Sequence, residues 1–377
     1  MTSDVRVLHI ISGDLWAGAE VQAYTLIAQL HRSPGTVVGA VVMNSGFLFR
    51  KLRLLGIDVE VFDETQLNAF SIALRLKGFI QDWQPDVIHT HRDKENILGA
   101  IANLLTRRMP SVRTVHGSEE HRGALGWRAV RRRMVSSVDR WVQCASGQTV
   151  VAVSVELAAR LAERSPKQRI VVIENGVDVE GLRAQLNSSG GAFAKSGGTH
   201  IGIVGRLVAV KRIDLFLEMA RRLLNEEPTR TWAFEVIGQG PERENLVTLC
   251  NRLEITEHVT FRGHCESIAK YMSGLDVLVM CSDHEGMPMA ALEAAALGVP
   301  TVAHAVGGLI DVVPKELQVT QHDARGYAEA VLRALLGDSR QVAANHAKRV
   351  LEKYSAVRNA ERTVTLYREL LRCGANG

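Results

Sequence analysis

The run Val277-Leu278-Val279-Met280 leads through Cys281-Ser282-Asp283-His284-Glu285-Gly286-Met287-Pro288 into Met289-Ala290-Ala291-Leu292-Glu293. Unbroken apolar residues of this length read as a strand buried on both faces, the mark of a parallel sheet. The Gly-x-Pro that follows predicts a turn. Pro288 then falls at the first position of a helix, where its missing N–H costs nothing. Gly298-Val299-Pro300 stops that helix. Two carboxylates flank the turn, Glu285 on the loop and Glu293 within the helix. The helix start between them offers free backbone N–H groups and a positive dipole end, which suits a phosphorylated ligand with hydroxyls on either side. The alternative is a helix that merely carries acid near its start, as the dipole favours. Residues 290–296 are almost all Ala and Leu, so a carboxylate at 293 needs a partner.

Outward from this βα unit the pattern repeats. Apolar runs at 200–204, 231–237, 259–261 and 299–304 predict strands, and helical patterns lie at 214–224, 241–253, 268–272, 288–297, 324–336 and 341–353. Nearer the N-terminus, strands are predicted at 5–11, 37–43, 58–62, 86–90, 112–116, 149–153 and 170–173. Helices are predicted at 19–31, 66–83, 94–107, 127–145 and 155–163. Alternation on this scale reads as α/β, doubly wound, twice over. The small polar stretch 187–199 is the best linker. The expected domains are therefore 1–186 and 200–356, with a last helix near 357–372 packing back on the first. Ligands of such sheets sit beyond the carboxyl ends of the strands, and in a two-domain form the natural place is the cleft between the domains.

A chain of 377 residues fits two domains. Its net charge of +4 suits an anionic ligand or an anionic membrane surface and does not imply nucleic acid. Aromatics are 5% of the chain and are not interleaved with the basic residues, which argues against a nucleic-acid surface. Five cysteines, without a CxxC pair, argue against a disulfide framework or structural zinc and for a reducing compartment. No signal peptide and no membrane span are expected, so the expected location is cytoplasmic.

Two further turns follow strand-like runs. Ser12 to Glu20 carries Gly18, which lets backbone N–H groups approach a ligand at a helix start; an ordinary βα turn is the alternative. No GxGxxG is present there, which disfavours a dehydrogenase. In Gly202-Ile203-Val204-Gly205-Arg206-Leu207 with Lys211, two cations gather near a helix start. The dipole disfavours cations there, so an anion such as a diphosphate explains them better than solvated charge does. His116 ends a strand and precedes Gly117, and is either a site residue or a structural histidine. His89 and His91 flank Thr90 at another strand end. Their spacing could suit a metal, but no Cys or carboxylate cluster accompanies them, and there is no Asp-x-Asp, so no metal is expected.

The segment 122–140 holds Arg122, Arg128, Arg131, Arg132, Arg133 and Arg140 against Asp139 alone. On a helix, Val130, Met134, Val138 and Trp141 share one stripe. This reads either as a basic amphipathic element for an anionic membrane or as a surface helix whose apolar stripe is core.

Taken together, these motifs resemble family four of the retaining nucleotide-sugar glycosyltransferases, which have the GT-B fold. Glu285-Gly286-Met287-Pro288 with Glu293 resembles its Glu-x7-Glu motif. Gly18-Ala19-Glu20 resembles its N-terminal GGAE turn, with Ala17 in place of the first Gly. The strand ends at 86–91 and 114–117, the segments 153–157 and 172–178, and Gly205-Arg206-Leu207 with Lys211 match in order and spacing over most of the chain. The resemblance implies two Rossmann-like domains facing across a cleft. It implies that Arg206 and Lys211 bind the donor diphosphate, Glu285 the transferred sugar and Glu293 the ribose. Backbone N–H groups of Gly286 and Met287, before Pro288, cap a phosphate. His116 touches the sugar, Gly18 leaves room for donor phosphate and acceptor, and Gly205 belongs to the diphosphate clamp. Neither metal nor cofactor is implied. The acceptor is a saccharide or a polyprenyl- or other lipid-linked saccharide, as in polysaccharide or glycolipid synthesis, with a peripheral place on the cytoplasmic face of the membrane. The alternatives are a nucleotide-sugar epimerase on the same scaffold and a non-catalytic nucleotide-sugar-binding module.

Overall fold

A computed structural model describes residues 4–13, 16–117, 127–188, 197–265 and 267–374. Within 127–144 it describes the backbone but not the side chains of 127–133, 136, 140 and 144. The chain divides into two compact units, residues 1–176 with 356–377, and residues 177–355.

The first unit runs β1 (Val5–Ile11), α1 (Gly18–Arg32), β2 (Thr36–Val42), α2 (Phe47–Leu54), β3 (Asp58–Val61), α3 (Ala69–Trp83), β4 (Val87–Thr90), α4 (Asp93–Leu104), β5 (Ser111–Val115), α5 (Trp127–Ser146), β6 (Thr149–Ala152), α6 (Val155–Arg164) and β7 (Ile170–Val172). Its seven strands are parallel, in the order β3-β2-β1-β4-β5-β6-β7. The second unit runs α7 (Val179–Ser188), β8 (Thr199–Val204), α8 (Ile213–Glu226), β9 (Trp232–Ile237), α9 (Arg243–Arg252), β10 (Val259–Gly263), α10 (Ile268–Met272), β11 (Val277–Met280), α11 (Met289–Ala296), β12 (Thr301–His304), α12 (Leu309–Val312), β13 (Gln318–Val319), α13 (Ala324–Ala334) and α14 (Gly337–Lys353). Its parallel sheet has the order β10-β9-β8-β11-β12-β13. The last helix, α15 (Ala356–Gly374), returns to the first unit.

The apolar runs explain this. Val7, Leu8, Ile10 and Ile11 of β1 are buried, and so are all four residues of β11, so both strands are covered on both faces. One face of the first sheet packs Val7, Ile11, Val38 and Val42 against α1 and against Ala360, Val364 and Tyr367 of α15. The other face packs Leu8, Ile10, Val41 and Ile88 against Ile72, Leu76 and Ile80 of α3.

Several boundaries differ from the sequence reading. The division falls after Gly176, not after 186, because α7 packs on α10 and α11 of the second unit. Only 187, 188 and 197–199 of the expected linker lie among the described residues, the first two ending α7 and Thr199 opening β8. The helix expected over 66–83 starts at Ala69, where the side chain of Asn68 accepts the N–H of Ser71 as an N-cap. Pro288 is the N-cap of α11 and not its first turn, with ψ 119°. The helices α2, α7 and α12 and the short strand β13 went unpredicted.

Candidate active site

In an open parallel sheet, ligand sites form where the strand order reverses. In the second sheet that point lies between β8 and β11, which pair with Leu278 beside Gly202. Their carboxyl ends deliver Gly205-Arg206 from one strand and Ser282 to Glu285 from the other. The same logic in the first sheet selects β1 and β4, which end at Ser12-Gly13 and at His91-Arg92.

The second-unit site is built around Glu285. Its Oε1 accepts hydrogen bonds from Lys211 Nζ at 2.6 Å and from Ser282 Oγ at 2.6 Å. The Glu285 side chain is 8% exposed and that of Lys211 19%, so this is a largely desolvated ion pair in which each charge depends on the other. Lys211 ends a 3-10 turn, Ala209–Lys211, directly after β8, and Asp283 N–H donates to Val210 O across the two strand ends. The pair is thus held by backbone from both strands.

The loop 282–288 is held from behind. Gly307 has φ +54°, and a Cβ there would lie 1.9 Å from Glu285 O. Gly308 N–H donates to Gly286 O at 2.7 Å. His304 Nδ1 lies 3.0 Å from Ser282 O and its ring stacks on His322, with centroids 3.9 Å apart. His322 bonds Asp283 on one nitrogen and Tyr327 on the other. Burial first, and then His304, lowers the His322 pKa. Neither of these two histidines was anticipated, because each lies on a different strand end and shares no spacing with the loop.

Glu293 lies in α11 and is buried. Burial raises its pKa to about 7. The sequence called for a partner, yet among the described residues none hydrogen-bonds its carboxyl. Such a group is costly when charged. A ligand hydroxyl would satisfy it.

In the first unit, Gly18 is the first residue of α1, and a Cβ there would meet nothing within 4 Å. Ala17 N–H donates to Glu20, whose carboxylate also pairs with Arg92. Among the described residues the space beside Gly18 is open.

His116 directly follows β5 and is half-buried. Strand register places it on the face that carries His9, His89 and His91, with His9 beside His89 on adjacent strands. His89 and His91 are thus not isolated, because His9 joins them and the three offer ring nitrogens within 4.8 Å of one another. Both nitrogens of His89 are already bonded, at 2.6 Å to Tyr367 Oη and 2.7 Å to Thr114 Oγ1. The His89 and His91 rings stack, with centroids 4.6 Å apart and planes 15° from parallel. Lone pairs lie in the ring planes, so stacked rings do not converge on one ion. Burial is the first cause of a lowered pKa at all four residues, His9, His89, His91 and His116. For His116 the value falls to about 3, with Arg92 as the second cause. All four rings are neutral. His9 lies two residues before the end of β1, and only the register of β1 against β4 sets it beside His89.

Of the basic segment, Arg122 lies outside the described residues, as do the side chains of Arg128, Arg131, Arg132, Arg133 and Arg140. Of the apolar stripe of α5, the Val130 side chain also lies outside the described residues, and the other three side chains are exposed. Met134 is 62% exposed, Val138 45% and Trp141 67%. Among the described residues no helix is long and apolar enough to cross a membrane. Cys250, Cys265, Cys281 and Cys373 are free thiols.

Comparison with known proteins agrees with this geometry. Residues 16–180 match the family described as Glycosyltransferase Family 4, and residues 198–336 match Glycosyl transferases group 1. A 2-deoxystreptamine N-acetyl-D-glucosaminyltransferase of Streptomyces fradiae is 28% identical over 280 residues, 71% of this chain and 66% of the relative. The match therefore spans just under two thirds of that relative's length. The UDP-Gal:alpha-D-GlcNAc-diphosphoundecaprenol alpha-1,3-galactosyltransferase of Escherichia coli is 24% identical over 302 residues, 76% of each chain. Among solved structures, the Anabaena protein HepE, in complex with UDP and glucose, superposes with a TM-score of 0.77 at 19% identity over 96% of this chain and 99% of its own. With the two family matches spanning both units and the neighbour sharing the fold, the chain belongs to the family-four glycosyltransferases of the GT-B fold.

Proposed function

We propose that the protein is a retaining glycosyltransferase that moves a sugar from a nucleotide-diphosphate sugar to a saccharide or lipid-linked saccharide. The observation that carries this reading is the part-buried Lys211–Glu285 pair at the strand-order reversal of the second sheet. Solved relatives hold UDP and glucose, and named relatives act on an aminocyclitol and on a diphosphoundecaprenol-linked sugar.

In this reading Lys211 keeps one N–H on Glu285 and turns the others, with Arg206, to the diphosphate. Glu285 presents its remaining capacity to the sugar hydroxyls. Glu293 accepts from the ribose, and His116 contacts the sugar. The N–H groups of Gly286 and Met287, ahead of Pro288, cap a phosphate, Gly205 belongs to the diphosphate clamp, and Gly18 leaves room for donor phosphate and acceptor. The acceptor hydroxyl attacks the anomeric carbon on the face from which the diphosphate departs. The C–O bond to phosphate breaks as the new C–O bond forms, and the hydroxyl proton passes to the departing phosphate oxygen. Arg206 and Lys211 stabilise the charge that develops there. Glu285, held by Lys211 and Ser282, orients and is not a nucleophile. The reading needs neither a metal nor a cofactor.

The exposed stripe of α5 supports peripheral docking on anionic lipid at the cytoplasmic face, where a lipid-linked acceptor would be met. A thermal-shift screen of UDP-glucose, UDP-N-acetylglucosamine, UDP-galactose and GDP-mannose tests the donor class, because tight binding raises apparent stability. The best donor is then tried with free and polyprenyl-linked saccharides. No stabilisation by any nucleotide sugar would sink the reading.

A further inference from the structure

Among the described residues, Gln84, Arg108, Arg212 and Glu254 hold a positive φ without being glycine. Gln84 and Glu254 follow the ends of α3 and α9, and Arg108 lies between α4 and β5, where a left-handed residue commonly ends a helix or forms a turn. Arg212 differs. It ends the 3-10 turn Ala209–Lys211 and at once begins α8, with φ +47° and ψ +47°. Helices normally begin from extended backbone. Glycine would be the least strained residue at this position. Strain held beside a site points to a contact that compensates it.

The Arg212 side chain makes that contact. Its Nε and Nη2 donate to Asp214, at 3.1 and 2.9 Å, and its Nη1 reaches Asp283 Oδ1 at 3.4 Å. Asp214 lies in the first turn of α8 itself. Asp283 lies in the loop after β11, two residues before Glu285. The same Oδ1 is 3.1 Å from His322 Nε2. A carboxylate only accepts, so the proton of the neutral ring sits on Nε2, and Nδ1 takes the Tyr327 hydroxyl at 2.9 Å. The backbone of Asp283 is used as well, its N–H donating at 2.9 Å to the oxygen of Val210, next to Lys211. Asp283 is thus the point where the segments after β8, β11 and β13 meet. The Lys211–Glu285 bond spans the first two of these segments.

We propose that Arg212 and Asp283, with His322 behind them, are positioning residues for the Lys211–Glu285 pair: they brace the two strand ends so that ammonium and carboxylate meet in register for the donor. Neither touches substrate in this role. A glycine at 212 would serve the backbone alone, and the arginine is explained by what its side chain reaches. The Arg212 and Asp283 side chains are 31% and 43% exposed, so the brace is modest in strength and sets alignment more than stability. The inference rests on the role proposed for Lys211 and Glu285.

Arg212→Gly separates alignment from stability. It releases the backbone strain as it removes the brace, so the melting temperature should stay within about 2 °C of wild type. Transfer should fall about fivefold. Asp283→Ala should lose at least as much, and Asp283→Asn, which keeps an acceptor oxygen, less. On a Lys211→Ala background no ammonium is left to align, and Arg212→Gly should then cost under about twofold. The proposal is overturned by wild-type transfer in Arg212→Gly, by a loss that goes with a lowered melting temperature, or by the same loss on both backgrounds, which would make Arg212 a substrate contact of its own. Melting of the full chain without ligand gives a second reading. Lys211→Ala strips Glu285 of its counter-charge and should lower the melting temperature. That drop should be smaller in Asp283→Ala, where the pair is already misaligned, and strictly additive drops overturn the brace. If no nucleotide sugar is turned over, the transferase reading falls, and the melting comparison alone decides the brace.

Discussion

Lys211 and Glu285 lie 74 positions apart in sequence and 2.6 Å apart in space, joined across the ends of β8 and β11. Each is the other's nearest counter-charge in a largely desolvated setting. Their effects on transfer should therefore be coupled.

Glu285→Gln and Lys211→Ala are each expected to lower transfer by about 100-fold, the loss that follows removal of one charge-stabilising group. The double variant should fall well short of the product of the two, because either change already breaks the shared bond. Release of nucleoside diphosphate in steady state measures this. Strictly multiplicative losses would mean that the two act independently.

Glu293 makes a pH prediction. Its pKa is near 7 in the fold, above the unfolded carboxyl value of about 4.3. Between those values the folded chain holds a proton that the unfolded chain has lost, so stability falls as pH rises through that window and levels off above it. The total is on the order of 3 kcal/mol. Glu293→Gln should match wild type near pH 4 and exceed it at pH 8 in denaturant unfolding. A parallel pH dependence in both proteins would contradict the assignment.

Ribose binding carries a second consequence of the same residue. Hydroxyl donors favour the ionised carboxylate, so UDP binding near pH 6.5 should release a proton. Calorimetry in buffers of different ionisation enthalpy would show it. Glu293→Ala should weaken UDP binding and abolish the buffer dependence; unchanged affinity would remove Glu293 from the site.

Gly307→Ala should displace the 282–288 loop, because its Cβ would fall 1.9 Å from Glu285 O at a φ of +54°. Activity should drop by at least about tenfold, the equivalent of 1.4 kcal/mol at the loop. Gly298→Ala is the control. Its φ is also positive, at +73°, but a Cβ there meets open space, so only backbone strain is added. Equal losses of transfer in the two variants would show that the Gly307 contact does not matter.

The α5 face predicts lipid selectivity. The chain should co-sediment with phosphatidylglycerol vesicles and not with phosphatidylcholine vesicles. Replacing Met134 and Trp141 by Ser, or Arg131, Arg132 and Arg133 by Ser, should weaken that binding. Indifference to lipid charge and to both replacements would end the idea.

The strands were legible because parallel strands buried on both faces are continuous apolar runs, as at β1 and β11, where the expected bounds were met residue for residue. Short α2, with its mixed basic and aromatic sequence, and α7, which carries Gly181 in its first turn and is weakly patterned, gave no such run. Glu285, Lys211, Arg206 and Glu293 stood out as candidates through turn chemistry and misplaced charge, and of these the structure joins Lys211 to Glu285. His9 was not, because a histidine inside an apolar strand carries no mark of its partners. Its meaning depends on the register of β1 against β4. The division after Gly176 was equally hidden, because it depends on which sheet α7 packs against.

The second unit enters the chain at Val177 and leaves at Ser355, and these two residues bridge each other, with Val177 N–H donating to Tyr354 O at 2.9 Å. It is therefore a continuous insertion in a discontinuous host. During synthesis, residues 177–355 emerge whole and can complete their sheet before α15 leaves the ribosome. The first unit waits for α15, and with it for Tyr367, the hydroxyl that holds His89. The order of birth is thus the reverse of the order of the sequence: the insertion closes first, and the N-terminal unit, with its histidines, closes last.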